Sequence, residues 1–315
     1  MQLHILLFIL LLVAGAWAQG NPQLACPAPD FPNLTFSRDG SRLLLFGESS
    51  SEYFVWDVRR LSLVASQKLD YTILSAELSP DGKLLALGER PRRLAVLEIP
   101  SKQRVFLYQG PAVAKGQDTG GYGVSWSPKQ DMLAFWGIGF MREAGEPKIY
   151  LYRWPAKKLL HTFPGERQGQ QGGWSEQSQF TVRDFDGLRL YDPSSGKLLK
   201  TLPQNNPPGQ NTPVKELHRL GQLASGCYYD EAKGRTVFFA SRLSLDQTGR
   251  VPGQGDTRLF DGQEKTPLGA IPTVLAYQLS PNGKVLALLL QGGVLLLDVE
   301  ASLAQKRLVP LAAGG

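Results

Sequence analysis

The sequence predicts an all-β fold, a β-propeller of six four-stranded blades, and three observations lead there. The first is composition. A chain of 315 residues with 42% apolar content can bury a large core, and 22 prolines and 34 glycines break it into short apolar runs. The second is a recurring turn. "FSRDGSRLLLFGE" begins at Phe36, "LSPDGKLLALGE" at Leu78 and "LSPNGKVLALLL" at Leu279. Degenerate copies are "WSPKQDMLAFWG" from Trp126, "WSEQSQFTVRD" from Trp174 and "YDEAKGRTVFF" from Tyr229. The third is the period. The anchors Ser37, Ser79, Ser127, Ser175, Asp230 and Ser280 are spaced by 42, 48, 48, 55 and 50 residues, the length of one blade.

Each unit reads as strands a, b, c and d. Phe36, Leu78, Trp126, Trp174, Tyr229 and Leu279 share one register of strand a and are expected to pack between blades. Trp126 and Trp174 are for that reason read as core rather than as a sugar-stacking pair. The turn between a and b follows from residue type: Pro sets φ, Asp caps through its side chain and Gly accepts positive φ. Ser79-Pro80-Asp81-Gly82-Lys83 is therefore a bend, since a catalytic cluster has no reason to recur around a ring. Strand c ends on a bulky residue and an acid: Trp56-Asp57, Leu97-Glu98, Tyr191-Asp192, Phe260-Asp261 and Leu297-Asp298, with Tyr152-Arg153 departing. A short strand d follows, as in "GKLLKTL" from Gly196. The propeller is expected over 31–310, between an N-terminal segment at 19–30 and a tail at 311–315. A seventh blade would need strands hidden in 203–224 or 20–33.

Residues 1–18 read as a secretory signal peptide, with an apolar run from Ile5 to Val13 and an Ala16-Trp17-Ala18 cleavage site. No Lys or Arg precedes the run, so an uncleaved anchor is the alternative. The expected product is exported, periplasmic or extracellular, and soluble. Export permits a disulfide between Cys26 and Cys227, the only two cysteines, against the alternative of a buried free thiol. A net charge of +6 gives a mild attraction to anionic surfaces and no nucleic-acid signature. Arg90-Pro91-Arg92-Arg93 is read as a solvated loop.

No catalytic residue, metal site or cofactor is expected. The mature chain has two histidines, His161 and His218, and lacks a phosphate loop, an H-E-x-x-H helix and a paired-cysteine metal motif. A calcium site made of channel carboxylates stays open at this point.

"VWDV" at 55–58, "LRLYDPSSGKLLKTL" at 188–202 and the "SPDGKLLAL" turns resemble WD-repeat β-propellers and quinoprotein-type repeats. They are also similar to the six-bladed propeller of the Tol system. Without the "GH" dipeptide, the chain resembles a divergent bacterial branch. The resemblance covers roughly 30–310. It implies a monomeric, non-catalytic binding scaffold for a protein or an anionic envelope polymer. The rival is a small-molecule propeller enzyme, lactonase- or quinoprotein-like, with a ligand in the central channel. That rival needs polar residues at the starts of strand a, where the sequence places Leu34, Ala76, Gly123, Gly173 and Ala276.

In a four-stranded blade, a–b and c–d turns share one rim and b–c and d–a connections share the other. The long segments 109–122, 137–148, 164–173, 203–224 and 241–256 all fall on the b–c/d–a rim. They carry or adjoin Tyr122, Trp136, Phe140, Met141, Arg142, Arg167, Arg242 and Arg250, an aromatic and arginine mix suited to binding.

Overall fold

The computed structural model describes residues 32–47, 50–110, 120–138, 148–164, 171–175, 178–184, 187–203, 225–230, 235–240, 243–247, 256–261, 266–272, 274–290 and 293–312. Their strands lie in six antiparallel sheets, each of consecutive strands. The first holds β1 (Pro32–Phe36), β2 (Arg42–Gly47), β3 (Glu52–Asp57) and β4 (Ser62–Lys68). The second holds β5 (Ile73–Leu78), β6 (Leu84–Glu89), β7 (Arg93–Glu98) and β8 (Arg104–Gln109). The third holds β9 (Gly121–Trp126), β10 (Met132–Ile138), β11 (Lys148–Arg153) and β12 (Lys158–Pro164). The fourth holds β13 (Gln171–Trp174), β14 (Phe180–Asp184), β15 (Gly187–Tyr191) and β16 (Leu198–Pro203).

The last two sheets depart from four strands. The fifth has five: β17 (Ser225–Asp230), β18 (Arg235–Ala240), β19 (Leu243–Gln247), β20 (Asp256–Asp261) and β21 (Pro267–Pro272). The segment 241–256, read from the sequence as one long connection, thus contains a strand. Leu243 and Leu245 of β19 pack with Leu259 against Leu286 and Leu288, as second strands do elsewhere. The sixth sheet holds β22 (Val274–Leu279), β23 (Val285–Leu290) and β24 (Gly293–Asp298). A short helix α1 (Val299–Gln305), N-capped by Asp298, then turns the chain back. Asp298 N–H donates to Val309 O and Leu311 N–H to Leu296 O, both at 2.9 Å, so the C-terminal segment runs along the open edge of β24.

The repeated turn is built the same way four times. The hydroxyls of Ser37, Ser79, Ser127 and Ser280 donate to Asp39, Asp81, Asp131 and Asn282 at 2.6–2.8 Å. Each hydroxyl also accepts a backbone N–H five residues on, at 2.9 Å. Gly40, Gly82 and Gly283 supply φ near +70°. In the degenerate third copy Gln130 takes that conformation and Asp131 replaces the missing acid, so the bond survives a changed spacing. At the other end of strand c, a β-bulge precedes the bulky residue in five sheets, at Val55/Trp56, Val96/Leu97, Leu151/Tyr152, Leu190/Tyr191 and Leu259/Phe260.

Backbone bonds fix the two rims. Val58, Ile99, Trp154 and Val299 N–H donate to Ser41, Lys83, Asp131 and Lys284, tying each c-strand end to its a–b turn. On the other rim, Leu69 and Ile73 N–H donate to Ser51 and Ser50, and Arg90 N–H to Thr72, joining b–c hairpins to a d–a connection.

Sheets pack face to face through apolar clusters. Leu44 and Val55 meet Leu78, Leu85 and Leu87 between the first and second sheets. Ala86, Leu94 and Val96 meet Val124, Trp126 and Phe135 between the second and third. Met132 and Trp136 meet Phe180 and Val182 between the third and fourth. Phe36, Leu43 and Leu45 meet Leu289 and Leu296, so the first sheet packs on the last. Phe36, Leu78 and Trp126 are buried, and Trp174 and Leu279 pack against these clusters, as expected. Tyr229 lies in β17, and its reading as a strand-a anchor is corrected. The bulge of β20 makes β19 the second strand and β18 the first. β17 is thus an extra strand ahead of them, its side chains outside the described residues.

Candidate interaction rim and channel wall

Two places on this scaffold carry chemistry that the repeat does not need. The first is the b–c/d–a rim of the second sheet. Glu89 and Arg93 are register partners at the b–c hairpin, with Arg93 Nε 3.5 Å from Glu89 Oε2 and side chains only 6% and 1% exposed for Arg93 and Glu89. The Arg93 guanidinium stacks on Tyr71 at 3.5 Å to the ring centroid. Burial pushes the Glu89 carboxyl above its ordinary range, against the pull of Arg93 and Arg104. The hairpin is clasped on both sides. Arg90 N–H reaches Thr72 at 2.8 Å, Gly110 N–H reaches Arg92 O at 2.8 Å and Arg92 N–H reaches Gly120 O at 3.4 Å. Arg90 and Pro91 are exposed, but Arg92 and Arg93 are buried. The solvated-loop reading is corrected for those two: neighbouring connections cover their side chains.

Of the eight residues expected on this rim, Tyr122 and Trp136 are core instead. Tyr122 is 3% exposed in β9 and packs edge-on against Tyr108 and Phe135. Trp136 is 8% exposed in β10 and lies over Gly123 and Gly172. Strands begin earlier and end later here than the glycine-rich flanks suggest, which draws both rings inside. Phe140, Met141, Arg142, Arg167, Arg242 and Arg250 lie outside the described residues, as does Cys26. Cys227 stands in β17 opposite Phe238.

The second place is the inner wall. The first strands of successive sheets adjoin: β22 meets β1, β1 meets β5, β5 meets β9 and β9 meets β13. Leu34 and Ala276 pack in the cluster between the first and last sheets, and Ala76 packs between the first and second. Gly123 is covered by Trp136. These positions, expected to face the channel, belong to the interior between sheets. The residue just before each bulky anchor alternates to the other side of the strand: Thr35, Glu77, Ser125, Gly173 and Gln278, all half-buried. Thr35 and Glu77 stand one residue past the expected channel positions, Ser125 and Gln278 two, and Gly173 is the expected position itself.

Glu77 is the most perturbed member. Burial pushes its carboxyl up to about 7, against the pull of the Trp126 amide and the Ser125 hydroxyl in the next sheet. In the same seam Val124 N–H donates to Ser75 Oγ at 3.3 Å. Gln278 Oε1 is buried and, among the described residues, has no hydrogen-bond partner. Among the described residues no group of three or more His, Cys, Asp or Glu is placed to hold a metal ion. Among them, too, no helix is long and apolar enough to cross a membrane. His161 serves structure: its Nε2 lies 2.9 Å from Ser194 O, joining the third sheet to the c–d turn of the fourth.

Repeated antiparallel sheets, a shared bulge and a shared turn define an all-β propeller fold. No protein-family model matches the chain, and no curated protein matches it. Among solved structures it is similar to a chain of the mitotic checkpoint complex, with 13% identity over 93% of this chain and 80% of that one and a TM-score of 0.45. It is also similar to the WD40 domain of Toxoplasma gondii coronin, with 18% identity over 54% of this chain and 44% of that one and a TM-score of 0.42.

Proposed function

We propose that the protein is an exported, non-catalytic propeller that binds a partner protein through its b–c/d–a rim. One observation carries the reading: the two rims differ in what their polar groups are doing. On the a–b/c–d rim those groups are committed within the turns. Ser37, Ser79, Ser127 and Ser280 bond to their own turn acid or amide. Asp192 accepts from Ser194 and Ser195, and Glu98 accepts from Ser101. Such turns repeat a scaffold and present little that differs from blade to blade. The opposite rim does not repeat. It carries the Tyr71–Arg93–Glu89 assembly in one sheet and long, dissimilar connections elsewhere, and variable loops on a rigid frame are where recognition resides.

The test is capture from an extract of the protein's own envelope by the mature, immobilised chain. A stoichiometric protein partner supports the reading. Retention of polyanion alone replaces the protein partner with an envelope polymer, and turnover of a small molecule by the purified chain replaces the scaffold with an enzyme.

A further inference from the structure

The c–d turns and outer strands of the third and fourth sheets share a composition that neither turn nor packing requires. Arg153 to Pro164 reads "RWPAKKLLHTFP" and Asp192 to Pro203 reads "DPSSGKLLKTLP". Together they hold the cations Arg153, Lys157, Lys158, Lys197 and Lys200, all exposed, against the single acid Asp192. That acid is engaged by the Ser194 and Ser195 hydroxyls. Lys157 holds a φ of +54° where the next turn places Gly196 at +71°, so the turn alone would favour glycine there. The two segments touch: His161 Nε2 lies 2.9 Å from Ser194 O, and a Cβ on Gly196 would meet the His161 ring at 3.0 Å. The cations therefore form one patch.

Leucines stand exposed within it. Leu159 and Leu198 are the register partners of Tyr152 and Tyr191 and are 43% and 47% exposed. Leu199 is the extra residue of the fourth sheet's bulge. Its counterparts Val64, Val105, Leu160 and Leu268 pack into the clusters between sheets, whereas Leu199 is 49% exposed. Single exposed leucines are ordinary, but three among five cations in two touching segments are a patch of mixed character. A soluble polyanion is matched by the cations alone and gains nothing from the leucines. An anionic bilayer matches both, with the cations at the headgroup phosphates and the leucines at the acyl boundary.

We propose that the a–b/c–d rim of the third and fourth sheets docks on an anionic lipid bilayer. The inference goes beyond the partner-binding rim, which it turns away from the membrane. The attraction is electrostatic in its first part, so it fades as salt shortens the screening length from about 10 Å at 0.1 M to about 3 Å at 1 M. Each cation near such a surface strengthens binding about fivefold, so removing two should weaken it about 25-fold.

The experiment is co-sedimentation of the mature chain, freed of residues 1–18 so that their apolar run plays no part, with lipid vesicles. The probes are phosphatidylcholine vesicles with and without phosphatidylglycerol, and soluble polyphosphate. The proposal expects saturable binding to the phosphatidylglycerol vesicles, roughly tenfold or more weaker binding to phosphatidylcholine alone, and loss of binding at high salt. Lys158→Gln with Lys197→Gln should bind the anionic vesicles about 25-fold more weakly. Leu159→Ser with Leu198→Ser should weaken vesicle binding about fivefold or more and leave polyphosphate binding unchanged. Lys68→Gln with Arg90→Gln, on the opposite rim, should bind as the wild type does. All six side chains are exposed, and the wild-type comparison among the three probes stands without any variant. Absence of binding to the anionic vesicles, or equal binding to both kinds, overturns the proposal. So does a leucine variant with full vesicle affinity, which assigns the patch to a soluble polyanion, or a loss confined to the opposite-rim variant. Because no protein partner is present, failure here is distinct from failure of the partner rim.

Discussion

Ser79 donates its hydroxyl proton to Asp81 at 2.7 Å while accepting the Leu84 amide at 2.9 Å, closing a turn that occurs with the same bonds at Ser37, Ser127 and Ser280. The stretch that looks most like a catalytic cluster is a hydrogen-bonded hinge between two strands. Ser79→Ala removes both bonds and leaves a buried amide short of a partner, costing about 1–2 kcal/mol. Denaturant unfolding should show similar costs for Ser37→Ala and Ser127→Ala, because the geometry is shared. An unchanged midpoint for all three would contradict the structural role.

Protonation of Glu77 links stability to pH. Burial raises its carboxyl from 4.5 to about 7, so the folded chain holds a proton that the unfolded chain releases. Stability from this group is therefore present below about pH 4.5 and is lost as pH rises through 7. Melting temperature should fall over that window in the wild type, and the Glu77→Gln variant should lack that component. A wild-type component of the opposite sign contradicts the burial of the acid.

Two glycines separate close approach from backbone conformation. A Cβ at Gly88 would run into the Tyr122 carbonyl of the next sheet, backbone against backbone. At Gly283 it would meet nothing within 4 Å, and only the φ of +72° resists it. Gly283→Ala should cost about 1–2 kcal/mol. Gly88→Ala should cost clearly more or prevent folding, since the clash is with backbone that no side-chain rotation relieves. Equal melting curves would show that the second and third sheets do not meet as described.

Cys26 and Cys227 should be joined in protein exported by its native host. A loop of about 200 residues closed by a disulfide contributes roughly 5 kcal/mol in the chain-entropy model, before any strain. Non-reducing mass spectrometry is the check, and two free thiols contradict the pairing.

How much of this was legible in the sequence follows from which forces are local. The turn was, because Ser, Asp and Gly act within five residues of one another. The packing of Phe36, Leu78 and Trp126 was, because the period aligns them. The burial of Arg92 and Arg93 was not, since connections distant in sequence cover them. β19 went unread because "LSLDQ" is short and half polar, and only its partners β18 and β20 make it a strand. Glu77 was missed by one residue: alternation places it and not Ala76 toward the next sheet, and strand register is settled by pairing rather than by composition.

The central claim, that the b–c/d–a rim is the binding face, is tested most directly by two double variants measured against the partner captured from the envelope. Phe140→Ala with Arg142→Ala removes an aromatic and a cation from a long connection on that rim. Lys102→Ala with Lys197→Ala removes two cations from c–d turns on the other, where both lysines are exposed. With both variants folded, the account predicts that the first abolishes capture, a loss of at least tenfold in affinity, and that the second leaves it unchanged. Equal losses, or a loss confined to the lysine variant, would contradict it.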